Sequence, residues 1–230
     1  MIQESHFERI GSLAERRRMD PSWQPRLFVY GDSISIQYGP HLKRMLEGKI
    51  RYDRITDNPG EVALADLNRP IGANGGDTNR AVGYMRRRHR DDPIPADILM
   101  INCGLHDLKT DLETGQKQVP LCHYVKNLRQ ILELAEAMNL VVIWVRITPV
   151  MDEVHDAVQP VLSQRFAHDV DAYNKEADQV MLSAKVPVLD LYGFSSHFVP
   201  AGYKDHVHYK DEVCALQAAY LAGAIEMLLR

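Results

Sequence analysis

Five short apolar runs punctuate a chain that is otherwise helix-periodic: RLFVY (26–30), IRYDRI (50–55), DILMIN (97–102), LVVIWVRI (140–147) and VPVLDL (186–191). The third, fourth and fifth are almost continuously apolar, the pattern of parallel strands covered on both faces. Between the runs, apolar positions recur every three or four residues. HYVKNLRQILELAEAM (123–138) sets Val125, Leu128, Ile131, Leu132, Ala135 and Met138 on one stripe. GPHLKRMLEG (39–48), NRAVGYMRRRHR (79–90), VLSQRFAHDVDAYNKEADQVMLSA (161–184) and KDEVCALQAAYLAGAIEMLL (210–229) read as further helices, the first closed by Gly48 as a C-cap. Residues 1–25 are polar and helix-like, end at Pro21 and Pro25, and read as an N-terminal helical extension to a domain spanning 26–230.

Strands alternating with helices predict an α/β fold: a five-stranded parallel sheet with right-handed crossovers, in a three-layer α/β/α sandwich. In open parallel sheets a site lies beyond the carboxyl ends of the strands. The strand exits at 31–39, 56–77, 103–117, 148–160 and 192–210 are therefore where chemistry is sought.

Composition narrows the picture further. The chain has 230 residues, enough for one domain with a sizeable core, and its 45% hydrophobic and 25% charged content is ordinary for a globular protein. A net charge of −4 argues against nucleic acid as a partner. The runs Arg16–Arg18 and Arg86–Arg90 read as solvated helix faces. Three scattered cysteines make no disulfide framework, and no Cys-x-x-Cys occurs. No run approaches the ~18 apolar residues of a membrane span. The opening residues lack an apolar leader, which predicts a cytoplasmic protein, although a chain trimmed of its leader would look the same.

At the first exit, Gly31-Asp32-Ser33 is either ordinary turn chemistry or a serine presented at a helix approach, where backbone N–H groups point into the same space. At the second, Gly75-Gly76-Asp77-Thr78 leads into a helix; Gly76 lets its N–H approach a ligand, and Asp77 or Thr78 serves as N-cap. The third, NCGLHDL, brings His106 and Asp107 after a turn at Gly104. The fifth carries Asp205-x-x-His208 just before the last helix, a local pair in which a carboxylate can fix the tautomer of a histidine base. A metal reading of Asp205, His206 and His208 is weak, since no further ligands converge on them. Together these exits supply a nucleophile, oxyanion donors, and a base with its orienter.

In that order the blocks resemble the SGNH (GDSL-type) hydrolase family, from about residue 26 to 230. The resemblance implies a flavodoxin-like sheet with Ser33 as nucleophile, Gly76 as an oxyanion donor and Asp205 with His208 completing a triad. The third block departs from the family pattern Gly-x-Asn-Asp: here it reads Gly104-Leu105-His106-Asp107. A neutral imidazole offers one N–H donor and an imidazolium two, so His106 is a candidate replacement for the asparagine. The implied chemistry is acyl transfer from an ester without metal or cofactor, on a small acyl group such as acetyl, the alcohol side being a carbohydrate among other classes. Asp32, Arg69, Arg146 and Arg165 are candidate contacts for a polar or acidic substrate, with loops 56–72 and 148–160 as walls. An acyltransferase of the same chemistry, or a non-catalytic binding protein on this fold, is the alternative. Oligomeric state is not readable from the chain.

Overall fold

The computed structural model describes residues 5–56, 62–67, 69–156 and 163–230. In chain order its elements are α1 (His6–Met19), β1 (Arg26–Gly31), α2 (Ser33–Met45), β2 (Arg51–Arg54), α3 (Val62–Ala65), α4 (Thr78–Asp91), β3 (Ile98–Asn102), β4 (Thr110–Asp111), α5 (Leu121–Ala137), β5 (Val141–Val145), α6 (Asp152–Asp156), β6 (Ser163–Gln164), α7 (Ala167–Ser183), β7 (Val188–Leu189), α8 (Leu191–Ser196) and α9 (Asp211–Leu228).

Five strands form one parallel sheet in the order β2-β1-β3-β5-β7. β3 and β5 are buried at every position and β1 at all but its first, which is why their sequences do not alternate. Edge strand β2 reads exposed-intermediate-exposed-intermediate and carries charges on its open side. Helix α2 packs with α9, and α1 with α9 and β5, while α4 packs with α5 and α5 with α7. The sheet thus lies between two helical layers. Its order reverses direction between β1 and β3, and a crevice at the carboxyl end of β1 is where such sheets bind ligands. Among the described residues no helix is long and apolar enough to cross a membrane.

Two element boundaries differ from the sequence expectation. The helix expected from Gly39 starts six residues earlier, at Ser33, because Asp32 caps it by accepting from the Ile34 N–H at 3.0 Å. The helix expected from Val161 starts at Ala167, because Ser163 and Gln164 are drawn into an antiparallel pair with Asp111 and Thr110.

Helix α1 buries Ile10 and Ala14 and seats His6 against the sheet. β7 pairs with β5 only at Trp144 and Val145, so the Val142 N–H has no strand neighbour on that side. It donates instead to His6 Nδ1 at 3.0 Å. Burial, helped by nearby Arg9, lowers the His6 pKa from 6.5 to about 4, so the acceptor nitrogen stays unprotonated in the fold. The unfolded chain takes up that proton as pH falls below 6.5 and the folded one does not until about 4, so this contribution is complete above pH 6.5 and is lost as pH falls toward 4. Urea unfolding at pH 7 and pH 4.5 is expected to show wild type losing on the order of 2–3 kcal/mol relative to His6→Gln, whose amide oxygen accepts without titrating. Equal pH dependence of the two proteins would refute the role given to His6.

Candidate active site

The site forms at the β1 exit. Gly31 ends the strand where any side chain would collide: a Cβ there would lie 2.7 Å from Ser35 Cβ and 2.8 Å from the Asn102 carbonyl oxygen. With Asp32 as N-cap, Ser33 becomes the first residue of α2, at the end whose opening N–H groups lack intrahelical partners. Asn102, closing β3, holds the neighbouring strand ends together: its carbonyl accepts from the Asp32 N–H at 3.2 Å, and its amide donates to the Val145 carbonyl at 3.3 Å.

Three side chains meet there. His208 Nε2 lies 2.8 Å from Ser33 Oγ, and His208 Nδ1 lies 2.8 Å from Asp205 Oδ2. The other Asp205 oxygen accepts from the backbone N–H groups of Val207 (3.0 Å) and His208 (2.8 Å). Burial alone would raise the Asp205 pKa; the hydrogen bonds from His208 and the two backbone groups outweigh it and hold the carboxyl well below its usual range. Ser33 and His208 are 4% and 1% exposed, so the pair is largely dry. His206 flanks the same carboxylate, Nδ1 at 3.7 Å from Asp205 Oδ1, and burial lowers its pKa.

The His208 segment is also tied to the helix that carries Ser33. Gln37, one turn beyond Ser33, donates from Nε2 to the Tyr209 carbonyl at 3.1 Å and accepts from the Tyr209 N–H at 3.3 Å. The His208 carbonyl accepts from the Lys204 N–H at 2.7 Å, closing the turn on the other side.

The second exit is held by the third. Asp77 caps α4, accepting from the Arg80 N–H at 2.9 Å, and its other oxygen takes a hydrogen bond from Gln118 at 2.6 Å. Asp107, fully buried, accepts from the Thr78 N–H at 3.0 and 3.1 Å and from the Thr78 hydroxyl. Burial pushes its pKa up to about 8, against the Thr78 hydrogen bonds. Gly76 adopts the left-handed region with φ 66°, but its N–H, expected to point at a ligand, donates to Asn74 Oδ1 at 3.1 Å. That is a correction to the expectation of a free donor: Asn74, itself fully buried, already occupies it.

His106 is 2% exposed, and its Nδ1 is buried with no hydrogen-bond partner. Burial, then the positive charges of Lys109 and Arg165, lower its pKa well below 6.5 and keep it neutral. An orphaned buried N–H is rarer than an orphaned acceptor, which assigns the single proton to Nε2. The doubly donating imidazolium considered from sequence is therefore disfavoured here.

The other candidate contacts divide. Asp32 lies within the site but serves as a cap, and burial pushes its pKa up to about 6. Arg165 also lies there, 4% exposed, its Nε donating to the Leu105 carbonyl at 2.6 Å with Asp32 and Asp205 as its anionic neighbours. Arg146 is corrected as a substrate contact: its guanidinium is held by Asp178, with Nε at 3.0 Å from Oδ1, and by Asp190 at 3.1 Å, because the end of β5 faces α7 and the cap of α8. Arg69 is exposed, within the second exit. The proposed loop walls fall partly on 57–61, 68 and 157–160, outside the described residues. Among the described residues no three His, Cys, Asp or Glu side chains converge as metal ligands. Sequence reading missed Asn74 and Lys109. The first was legible as an Asx residue just before a glycine pair; the second had no signal in a single loop lysine.

A family model described as the GDSL-like lipase/acylhydrolase family matches residues 29–213. Comparison with curated proteins gives no match. Among solved structures the chain is similar to a lipase/acylhydrolase from Enterococcus faecalis, with a TM-score of 0.64 and 16% identity over 89% of this chain and 96% of that one. It is also similar to a GDSL-like lipase from Bacteroides thetaiotaomicron (TM-score 0.60, 16% identity, 96% and 98% covered). A third is an acetylxylan esterase from Geobacillus stearothermophilus, solved as a catalytic mutant (TM-score 0.58, 18% identity, 90% and 96% covered). At these identities the likeness is one of fold.

Proposed function

Because this chain belongs to the GDSL-like lipase/acylhydrolase family and is an ester-bond hydrolase, we propose that it is a serine esterase that removes a small acyl group through an acyl-Ser33 intermediate. The observation that carries the reading is the pair of 2.8 Å contacts running from Ser33 Oγ through His208 to Asp205. His208 Nε2 takes the serine proton as Oγ attacks the ester carbonyl, and Asp205 stabilises the imidazolium that results. The tetrahedral intermediate collapses, and His208 gives the proton to the departing alcohol. Water then attacks the acyl-serine with His208 again as base, releasing the acid and restoring the hydroxyl.

The developing oxyanion has the Ser33 N–H at the start of α2 and the His106 Nε2–H as donors. Gly76 adds a third only when its N–H is shared away from Asn74. The acetylxylan esterase among the similar folds supports an acetylated carbohydrate as the first natural substrate to assay. The decisive experiment is labelling with a fluorophosphonate followed by peptide mapping: the label is expected on Ser33, and a protein that turns over 4-nitrophenyl acetate without labelling there would sink the proposal.

His106 has its own test. His106→Ala is expected to lower kcat for 4-nitrophenyl acetate roughly 10²-fold, the usual cost of one oxyanion donor. His106→Asn is expected to lose less, because an amide restores an N–H. An alanine variant as active as wild type would remove His106 from the oxyanion hole.

A further inference from the structure

Building on the acyl-Ser33 reading, we propose that the ester taken by this site is anionic, its negative charge bound by Lys109 with Arg165 beside it, where the β4–β6 ladder delivers both cations to the serine and His106.

The ladder pairs Asp111 with Ser163 and Thr110 with Gln164. Lys109 and Arg165 flank that ladder in sequence, one just before Thr110 and the other just after Gln164. Like charges brought near one another repel, and neither residue belongs to the two pairs of the ladder. Both are nevertheless drawn inward. Arg165 is 4% exposed and fixed by the Leu105 carbonyl, next in sequence to His106. Lys109 is half-buried, and its ammonium has no hydrogen-bond or ion-pair partner among the described residues. A desolvated ammonium beside a guanidinium is costly to hold unless an anion joins it.

Two of the carboxylates around Lys109 are engaged elsewhere. The groups facing Lys109 are Arg165, Asp32, Asp77 and Asp66, with the imidazoles of His106 and His206 also within its field. Asp32 is committed to the α2 cap, and Asp77 to the α4 cap and Gln118. Burial first, and Arg165 second, bring the Lys109 pKa down to about 8, so the ammonium is charged at neutral pH but sheds its proton slightly above it. The Lys109 N–H donates to the His106 carbonyl at 3.4 Å, which keeps this lysine in the same turn as the proposed oxyanion donor. A carboxylate on either the acyl or the alcohol side of the ester meets the need for an anion.

Two matched pairs of esters separate those sources. Mono-(4-nitrophenyl) succinate against 4-nitrophenyl butyrate places the charge on the acyl side; 3-acetoxybenzoate against its methyl ester places it on the alcohol side. After subtraction of spontaneous hydrolysis, the ratio of kcat/KM, anionic over neutral, is expected to be about tenfold or more in one pair at low ionic strength. Lys109→Gln should bring that ratio down by about tenfold, and Lys109→Arg should keep most of it. In wild type alone, whatever the variants' folding, the ratio should fall as pH rises through about 8. Ratios near one in both pairs, or a ratio unchanged in Lys109→Gln, overturn the anion site even if Ser33 chemistry stands. A wild-type protein that hydrolyses none of the four esters instead overturns the esterase reading itself.

Discussion

Replacing Ser33 by alanine is expected to lower ester turnover by roughly 10⁴–10⁶-fold, with the folded state intact. The large effect follows from the role proposed for Ser33: its Oγ lies 2.8 Å from His208 Nε2, and removing it leaves only the proposed oxyanion donors and substrate binding. The structural cost is small. Ser33 makes no cap; Asp32 does, through the Ile34 N–H. The vacated volume is that of a single hydroxyl, and His208 keeps its bonds to Asp205. Initial rates with 4-nitrophenyl acetate, fluorophosphonate labelling, and thermal unfolding by circular dichroism together check the claim. Residual activity above about one per cent, in a protein with unchanged melting, would mean that another residue is the nucleophile.

The second large effect is expected at Asp205, where asparagine should cost about 10⁴-fold in kcat. The substitution is nearly isosteric, and the amide oxygen can still accept from the Val207 and His208 N–H groups. What changes is the face toward His208 Nδ1. A carboxylate there accepts, so Nδ1 carries the proton and Nε2 is free to receive one from Ser33. An amide nitrogen there donates, so Nδ1 must accept and Nε2 arrives at Ser33 already protonated. The imidazole then holds its place and cannot act as a base. Single-turnover kinetics on 4-nitrophenyl acetate should show acylation, not only deacylation, slowed. A loss below tenfold would show that Asp205 only supports the turn.

Much of this arrangement was legible before any coordinates. The nearly unbroken apolar runs at 97–102 and 140–147 have the pattern of covered strands, and their alternation with helices implied a parallel sheet and hence the end that carries the site. Ser33, Asp205 and His208 were legible because each stands at a strand exit or a helix start, in a local context with its own grammar. Contacts between distant loops were not. Nothing near Arg146 announces that Asp178 and Asp190 hold it, and nothing in NGGDT says that Asn74 turns back onto the Gly76 N–H. The β4–β6 ladder joins segments some fifty residues apart by two pairs, too short for any period to betray. Hydrophobic pattern encodes burial, and these side chains are placed by hydrogen bonds whose partners lie elsewhere in the chain.

The double hydrogen bond between Gln37 and the Tyr209 peptide has a consequence for how this enzyme fails. In the proposed mechanism the nucleophile enters near the beginning of the fold and the base near its end, and this amide is the rivet between them. A fluctuation that lifts the last helix away separates base from serine while the sheet stays whole. Inactivation under heat or mild denaturant can then run ahead of the loss of secondary structure, the catalytic centre coming apart at a seam before the scaffold does.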